Sequence, residues 1–294
     1  MRTSPFSRLD AAARPRTSVA ALVGLTFTLF ASTDACGQPL RRPRANQTAS
    51  SVAEQVKPGT TAKIDENHPI VPLLERAYES RKALDSVQDY EAVFSKREIV
   101  GRKLLASTLN LKIREEPFCV YLKFVDTGNA GREVLYFSGR NDGKLLVHED
   151  GVSRLLGTFK FKPDDKTVMA ENRYPITLVG MRNLVDKIIQ QWEFEGQYGE
   201  IEVQHRPSSK LDGRECVVLE STHPQPRNQF KYHLTRLWVD NETKFPVRVE
   251  QYQFPTKAGE APQIVEEYTY TKIRINLGLD DREFDPKNPK YNFP

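Results

Sequence analysis

Charge of one sign is missing from these 294 residues: 43 Lys and Arg stand against 39 Asp and Glu, a net +4 with histidine neutral. A balance so near zero gives no electrostatic footprint for a nucleic-acid partner. Long apolar runs are scarce too. With 38% hydrophobic residues and a mean hydropathy of −0.56, the chain is too polar for a multi-span membrane protein, yet it can fill one sizeable core. Catalytic signatures are absent: there is no G-x-S-x-G, H-E-x-x-H or G-x-x-x-x-G-K-[ST]. Histidine is sparse, and His68, His148, His205, His223 and His233 include no i, i+4 pair that would form a helical metal site. They read as surface or strand-edge residues. Glu149-Asp150 and Asp164-Asp165 are adjacent carboxylates, as turns supply, and not a facing glycosidase pair. The acidic run Asp280, Asp281, Glu283, Asp285 and Asn288 is interrupted by Pro286 and Pro289. It therefore reads as a solvated, Asx-capped tail and not as a calcium loop. No catalytic residue, metal ligand or cofactor is assigned, and the chain is read as non-enzymatic.

What the sequence does contain begins with an address. Arg2, Arg8, Arg14 and Arg16 precede the apolar run 19–31, and Thr33-Asp34-Ala35 follows it. About a dozen apolar residues behind a basic flank make a secretory signal peptide, residues 1–35, where a membrane span needs about 20. Once it is removed, no transmembrane span is expected. Two fates of the junction stay open: ordinary cleavage after Ala35, or lipidation of Cys36, which would anchor the mature chain to a membrane. Residues 36–66 are rich in Pro, Ser, Thr, Gln and Ala without an apolar period, and read as a flexible polar linker. The localisation expected is exported, in the periplasm or cell envelope. Export permits disulfides, so Cys119 and Cys216 are either one bridge or two buried thiols.

A domain spanning 67–294 follows. Ile70, Leu73, Leu74, Ala77, Tyr78 and Leu84 share one helical face, with Pro69 and Pro72 tolerated in the first turn. From Leu105 to Arg114, apolar Leu105, Leu109, Leu111 and Ile113 alternate with smaller and polar residues, and Phe118, Val120, Leu122 and Phe124 repeat the pattern. Such alternation predicts strands buried on one side. Further strands are predicted at 133–139, 144–150 and 155–162, with Asn141-Asp142-Gly143 and Asp150-Gly151 supplying turn chemistry. A second helix carries Met181, Leu184, Ile188 and Trp192 on one stripe. Strands then resume at 200–206, 215–221, 232–240, 245–254 and 264–275. Many antiparallel strands with two helices predict an α+β fold, here a strongly curved antiparallel half-barrel with the helices over its concave face.

Several segments carry a resemblance. They are DYEAVFSKREIVG (89–101), EEPFCVYLKF (115–124), GREVLYFSGRNDGKLLVHEDG (131–151), RYPITLVGMRNL (173–184), LWVDNETKFPVRVEQYQF (237–254) and the tail EEYTYTKIRINLGLDDREFDPKNPKYNF (266–293). On these the chain resembles the bacterial secreted family called domain of unknown function 1571, and is similar in layout to the outer-membrane lipoprotein carriers of the LolA/LolB type. Phe245-Pro246 and Phe284-Asp285-Pro286 are the strongest pieces. The resemblance implies a LolA-like half-barrel with helices as a lid over an apolar cavity that takes an acyl chain. It also implies a functional arginine, for which Arg132, Arg173 and Arg182 are the candidates.

The residues expected to line such a cavity are Leu109, Leu111, Phe118, Val120, Leu122 and Phe124 from strands, with Leu184, Ile188 and Trp192 from the second helix. The same side chains would serve a closed core equally well. A 16-carbon chain buried there would gain roughly 11 kcal/mol, at ~0.8 kcal/mol per CH₂, before ordering costs. Three functions are therefore weighed. The first is an exported carrier or sensor of a hydrophobic ligand, a lipid or the acyl group of a lipoprotein. The second is an envelope scaffold or signalling partner that binds another protein and has no lipid cavity. The third is a hydrolase whose acidic or histidine residues, dispersed in sequence, converge in one polar cleft.

Overall fold

The computed structural model describes residues 64–151, 155, 157–257 and 259–294. The expected signal peptide, Cys36 and all but residues 64–66 of the expected linker lie outside them. Ile64, within that linker by sequence, already packs against the core.

The first helix, α1 (Val71–Ala83), accepts Pro72 in its opening turn and continues as a 3₁₀ turn, Leu84–Ser86. Five of its six predicted face residues are buried; Tyr78 is exposed and points its hydroxyl at Glu193. The first half of the strands comprises β1 (Asp89–Val100), β2 (Lys103–Arg114), β3 (Cys119–Phe124), β4 (Glu133–Phe137), β5 (Leu145–His148) and β6 (Thr158–Phe161). After the short α2 (Lys166–Met169) and the long α3 (Met181–Glu195) come β7 (Glu202–Leu211), β8 (Arg214–Thr222), β9 (Leu234–Asp240), β10 (Pro246–Tyr252) and β11 (Ile264–Ile275). Ten of the eleven match predicted strands. β1 is the one strand the alternation does not predict.

All eleven form one antiparallel sheet in the order β6-β5-β4-β3-β2-β1-β11-β10-β9-β8-β7. Each half is a meander of sequential hairpins, and the halves are joined by the pairing of β1 with β11. The expected strongly curved half-barrel is corrected by this arrangement. The sheet is open, with β6 and β7 as separate edges, and it is neither closed into a barrel nor strongly curled. The physical reason is that alternation and turn residues specify neighbours and buried faces, while curvature depends on where register shifts fall. Here they are few: at Glu91/Val93, Arg206/Ser209, Pro246/Arg248 and Gln251/Tyr252.

One face lies under the helices. Leu73, Leu74 and Ala77 of α1 and Met181, Val185, Ile188, Ile189 and Trp192 of α3 join Tyr90, Phe94, Leu109, Leu111, Ile113, Val120, Leu219, Leu237 and Val249 in a single buried cluster. The start of α3 is fastened to the two central strands. Gly180 N–H donates to the Tyr270 hydroxyl (3.1 Å) and Met181 N–H to that of Tyr90 (2.9 Å), satisfying two donors that a helix start leaves orphaned. Gly180 has φ +116°, and a Cβ there would sit 3.1 Å from Ile113 Cδ1 and 3.2 Å from the Tyr90 hydroxyl, so only glycine fits.

On the other face the tail covers β3–β5, which corrects its reading as merely solvated. Leu279, Phe284, Tyr291 and Phe293 are buried on Cys119, Tyr121, Leu135, Phe137 and Leu146, and Tyr291 stacks on Tyr121 at 4.0 Å. The Asx caps are present as well, with Asp280 accepting from Arg282 N–H and Asn288 from Lys290 N–H. His148 and His223, expected at the surface or a strand edge, are buried, at 1% and 2% exposed; His148 packs beside Phe293.

This layering answers the cysteine question. Cys119 and Cys216 are both buried free thiols. They sit on β3 and β8, six strand steps apart in the sheet, roughly 29 Å at ~4.8 Å per step, where a disulfide needs Cα atoms within ~7 Å. Phe284→Ala, which removes the most buried tail side chain, is expected to cost ~3–5 kcal/mol. Thiol labelling checks it: Cys119 should stay unreactive in the native protein and become reactive in the variant, while Cys216 keeps its protection.

Candidate functional site

The nine cavity candidates divide by depth. Leu109 and Leu111 (1% exposed), Val120 and Trp192 (0%) and Ile188 (3%) are closed off within the helix-side cluster. Phe118, Leu122, Phe124 and Leu184 belong to the same cluster but are only half-buried. The second group does not stand alone. Register places Leu122 opposite Val134, Val134 opposite Val147, Val147 opposite Phe159, and Leu145 opposite Phe161. Val134, Val147, Phe159 and Phe161 are likewise half-buried. The helix-side face of β3–β6 is thus an apolar strip, closed at its β2 side and open towards the β6 edge.

A polar row crosses the same face over the other strands. Glu98 of β1 lies opposite Glu266 of β11, Glu266 opposite Gln251, Gln251 opposite Thr235, and Thr235 opposite Ser221. All five are at most 5% exposed. Helix α3 satisfies much of the row: Gln191 donates to Thr235 (3.0 Å) and Glu195 (2.8 Å) and accepts from Gln251 (2.5 Å), and Trp192 Nε1 donates to Ser221 (3.0 Å). Sequence reasoning named none of these five.

A strap, residues 171–174, then runs along the end of the sheet and ties down a strand or its loop with each residue. Glu171 meets Arg132 (2.8 Å), Asn172 meets Lys96, Arg173 meets Glu266 (2.6 Å), and Tyr174 donates to Glu266 (3.0 Å). Tyr232 also donates to Glu266 (2.5 Å), and Tyr268 donates to Glu98 (2.6 Å), whose second oxygen takes Lys96 (2.8 Å). Dispersed carboxylates do converge here, as a hydrolase would need. Each carboxylate oxygen nevertheless already accepts from at least one donor, and Glu266 takes four, from Arg173, Tyr174, Tyr232 and Tyr268, so these carboxylates are engaged in holding the strap and the sheet end together. Burial first, then the neighbouring carboxylates, push the Tyr174, Tyr232 and Tyr268 hydroxyls well above their ordinary value, which keeps them donors.

The three candidate arginines are all engaged. Arg132 bridges Glu149 and Glu171, Arg173 holds Glu266 and the Ile99 carbonyl (2.7 Å), and Arg182 meets Glu115 (3.2 Å) and the Leu84 carbonyl (2.7 Å). Elsewhere a cavity of about 380 Å³ lies between α1 and β7–β9, lined by Arg76, Glu79, His205, Val217, Val239, Asp240 and Lys244 among others. Among the described residues no group of three or more His, Cys, Asp or Glu is placed to hold a metal ion. Nor is any helix there long and apolar enough to cross a membrane.

His223 closes one end of the row. It stacks on Phe230 at 3.6 Å, its Nε2 is 3.3 Å from Glu195, and its Nδ1 is 2.9 Å from the Glu200 carbonyl. Burial opposes the charged ring, but Glu195 and the Glu200 carbonyl outweigh it and raise the imidazole above its ordinary 6.5. A value raised in the folded state gives stability that is complete below about 6.5 and fades as pH climbs through the folded value. The urea midpoint should therefore fall between pH 6 and 8, and His223→Gln should flatten that slope.

The fold and site define an α+β protein: one open antiparallel sheet, with a helix pair on one face and a tail on the other. The chain belongs to the family described as Protein of unknown function (DUF1571), which matches residues 87–293. Among curated proteins none matches. Solved structures with some similarity include the lipoprotein LppX of Mycobacterium tuberculosis, at 12% identity and a TM-score of 0.42, covering 71% of this chain and 98% of that one. The MucA/MucB complex of Pseudomonas aeruginosa gives 16% identity and 0.42, covering 73% and 60%. A LolA superfamily protein of Nitrosomonas europaea gives 15% and 0.28, covering 73% and 96%.

Proposed function

We propose that this protein is an exported, non-enzymatic carrier or sensor of a hydrophobic ligand, a lipid or a lipoprotein acyl chain, acting in the periplasm or cell envelope. In this reading residues 1–35 are the signal peptide, Cys36 begins the mature chain, with or without acylation, and a linker to residue 66 tethers a domain at 67–294. One observation carries the reading: the half-buried apolar strip on β3–β6. Contiguous apolar surface that the fold leaves only half-covered supports a place where something binds. The ligand chain would lie along Phe118, Leu122, Phe124 and Leu184, and would reach the five closed candidates only if α1 and α3 moved as a lid.

Titration with a fluorescent fatty acid and native mass spectrometry of the purified protein test this. Retained lipid and saturable binding are expected, and Leu122→Asp should weaken binding at least tenfold with the fold intact. Protein that carries no lipid and gives no saturation would sink the proposal. The closed inner core favours a second reading, an envelope scaffold that seats a partner protein on the same strip. One specific co-purifying protein in the absence of lipid would select it.

A further inference from the structure

His223 stands between two acceptors that only one of its protonation states can serve together. Its Nε2 lies 3.3 Å from Glu195 Oε2 on the last turn of α3, and its Nδ1 lies 2.9 Å from the Glu200 carbonyl in the loop that follows. A neutral imidazole has one N–H and one lone pair, so it donates to one of the two and turns the lone pair on the other. The imidazolium donates to both. Neither His223 Nε2 nor Glu195 Oε2 has a further hydrogen-bond partner among the described residues. Both residues are 2% exposed, so bulk water does not make up a lost donor.

The charged groups around the ring come from four elements. From α3 comes Glu195, whose other oxygen accepts from Gln191 (2.8 Å). From the 196–201 loop comes Glu200, whose carboxylate is paired with Arg227 of the β8–β9 loop (2.8 and 3.0 Å). That loop also supplies Phe230, stacked on the ring at 3.6 Å, which fixes its plane. Just before β9, His233 is engaged through its Nδ1 with the His223 carbonyl (2.8 Å). Glu195 is thus the carboxylate left without a cation when the ring is neutral. The two ends of α3 differ in consequence. At its start, Gly180 and Met181 N–H go to the Tyr270 and Tyr90 hydroxyls, which burial holds far above the neutral range. Gln191 and Trp192 are held to the polar row by neutral side chains. Only the turn beyond them depends on a group that titrates near neutrality.

We propose that His223 is a proton-dependent latch on the C-terminal turn of α3: doubly protonated, it ties Glu195 and the 196–201 loop to the end of β8, and on losing its proton to solvent it frees residues 193–201 while the start of α3 stays fastened. Burial lowers the ring, but Glu195 and the Glu200 carbonyl raise it more, so release falls on the alkaline side of its ordinary 6.5. No ligand is needed for the change, and the latch therefore does not rest on the lipid reading. Within that reading it loosens the end of the lid that lies next to Trp192.

Hydrogen exchange of the intact protein at pH 6, 7 and 8, read by mass spectrometry as protection over the intrinsic rate, tests the latch. Protection of 193–201 should fall at least tenfold from pH 6 to pH 8, and that of 181–188 by less than twofold. His223→Gln should remove the pH dependence and leave 193–201 poorly protected throughout. Glu195→Gln should also remove it, yet keep 193–201 protected at pH 8, because the new amide donates to the lone pair of the neutral ring while Nδ1–H keeps the Glu200 carbonyl. A residue that served packing alone would give no such rescue, and this variant decides the point even where His223→Gln fails to fold. Protection of 193–201 that is unchanged between pH 6 and 8, a fall shared equally by 181–188, or Glu195→Gln as loose at pH 8 as the parent each overturns the latch. None of these results touches the lipid titration, which stands or fails separately.

Discussion

Arg236→Met is expected to lower the unfolding free energy by about 2–4 kcal/mol, a large effect for a side chain that touches neither apolar cluster. On the face opposite the helices, the half of the sheet that the tail leaves uncovered carries a ladder of charges across six strands. Arg206 meets Glu220 (3.1 Å), Glu220 meets Arg236 (2.6 Å), and Arg236 meets Glu250 (3.5 Å). Glu250 meets Arg248 (2.5 Å), Arg248 meets Glu267 (3.0 Å), and Glu267 meets Arg97 (3.1 Å). Register sets it up, since Glu220, Arg236, Glu250, Glu267 and Arg97 are successive cross-strand partners. Glu220 and Glu250 are only 4% exposed, so removing the arginine between them strands two desolvated carboxylates. Arg206 and Arg248 still serve one each, which keeps the loss below that of a wholly orphaned buried charge. Arg97→Ala, at the half-exposed end of the ladder, should cost under ~1 kcal/mol. Urea unfolding followed by circular dichroism separates the two: equal midpoints for Arg236→Met and Arg97→Ala would show that the ladder is ordinary surface charge.

That ladder also shows how the sequence could be read and where reading stopped. Ten strands were legible because apolar residues alternate within them, as in Leu109, Leu111 and Ile113. β1 was not, because its alternation of Tyr90, Ala92 and Phe94 gives way to Lys96 and Glu98 on the same inward face. A charged inward residue looks outward to any pattern built on hydropathy. Sheet curvature was illegible for a different reason: it is a sum over register shifts that no single strand announces. The tail failed similarly, since Phe284, Tyr291 and Phe293 have no common period, and only contact with Tyr121, Leu135 and Phe137 gives them a role.

The site was half legible. Alternation alone put Leu122 and Phe124 on the helix-side face, where the strip lies. The polar row left a fainter mark. Ser221 shares the parity of Val217 and Leu219, Thr235 that of Leu237 and Val239, Gln251 that of Val247 and Val249, and Glu266 that of Tyr268 and Tyr270. A polar residue in the inward slot of four neighbouring strands is a signal, but it needs the strand order before the four can be placed in one line. The strap carries no signal of its own, because Arg173 and Tyr174 gain meaning only from a glutamate 93 and 92 residues away.

Arg173→Met is expected to destabilise the protein by about 3–5 kcal/mol, more than the loss at Arg236, because the carboxylate left behind is deeper. Glu266 is 1% exposed and faces Glu98, at 3%, across the central strand pair, an arrangement of like charges that is unfavourable unless cations intervene. Lys96 serves Glu98, and Arg173 serves Glu266 while its Nη1 also donates to the Ile99 carbonyl. Tyr232, Tyr174 and Tyr268 supply hydrogen bonds but no charge. Without the guanidinium, then, an ion remains buried with neutral hydrogen-bond donors alone, and the strap keeps only Tyr174 as its anchor to β11. Arg173→Lys restores charge but not the second bond to Ile99, so it should recover part of the loss. Glu266→Gln in the Arg173→Met background should recover more, because it removes the stranded charge and keeps an oxygen for the tyrosines. Urea unfolding of the four proteins decides the point: a double variant no more stable than Arg173→Met would mean that the arginine acts through packing of the strap and not by balancing Glu266.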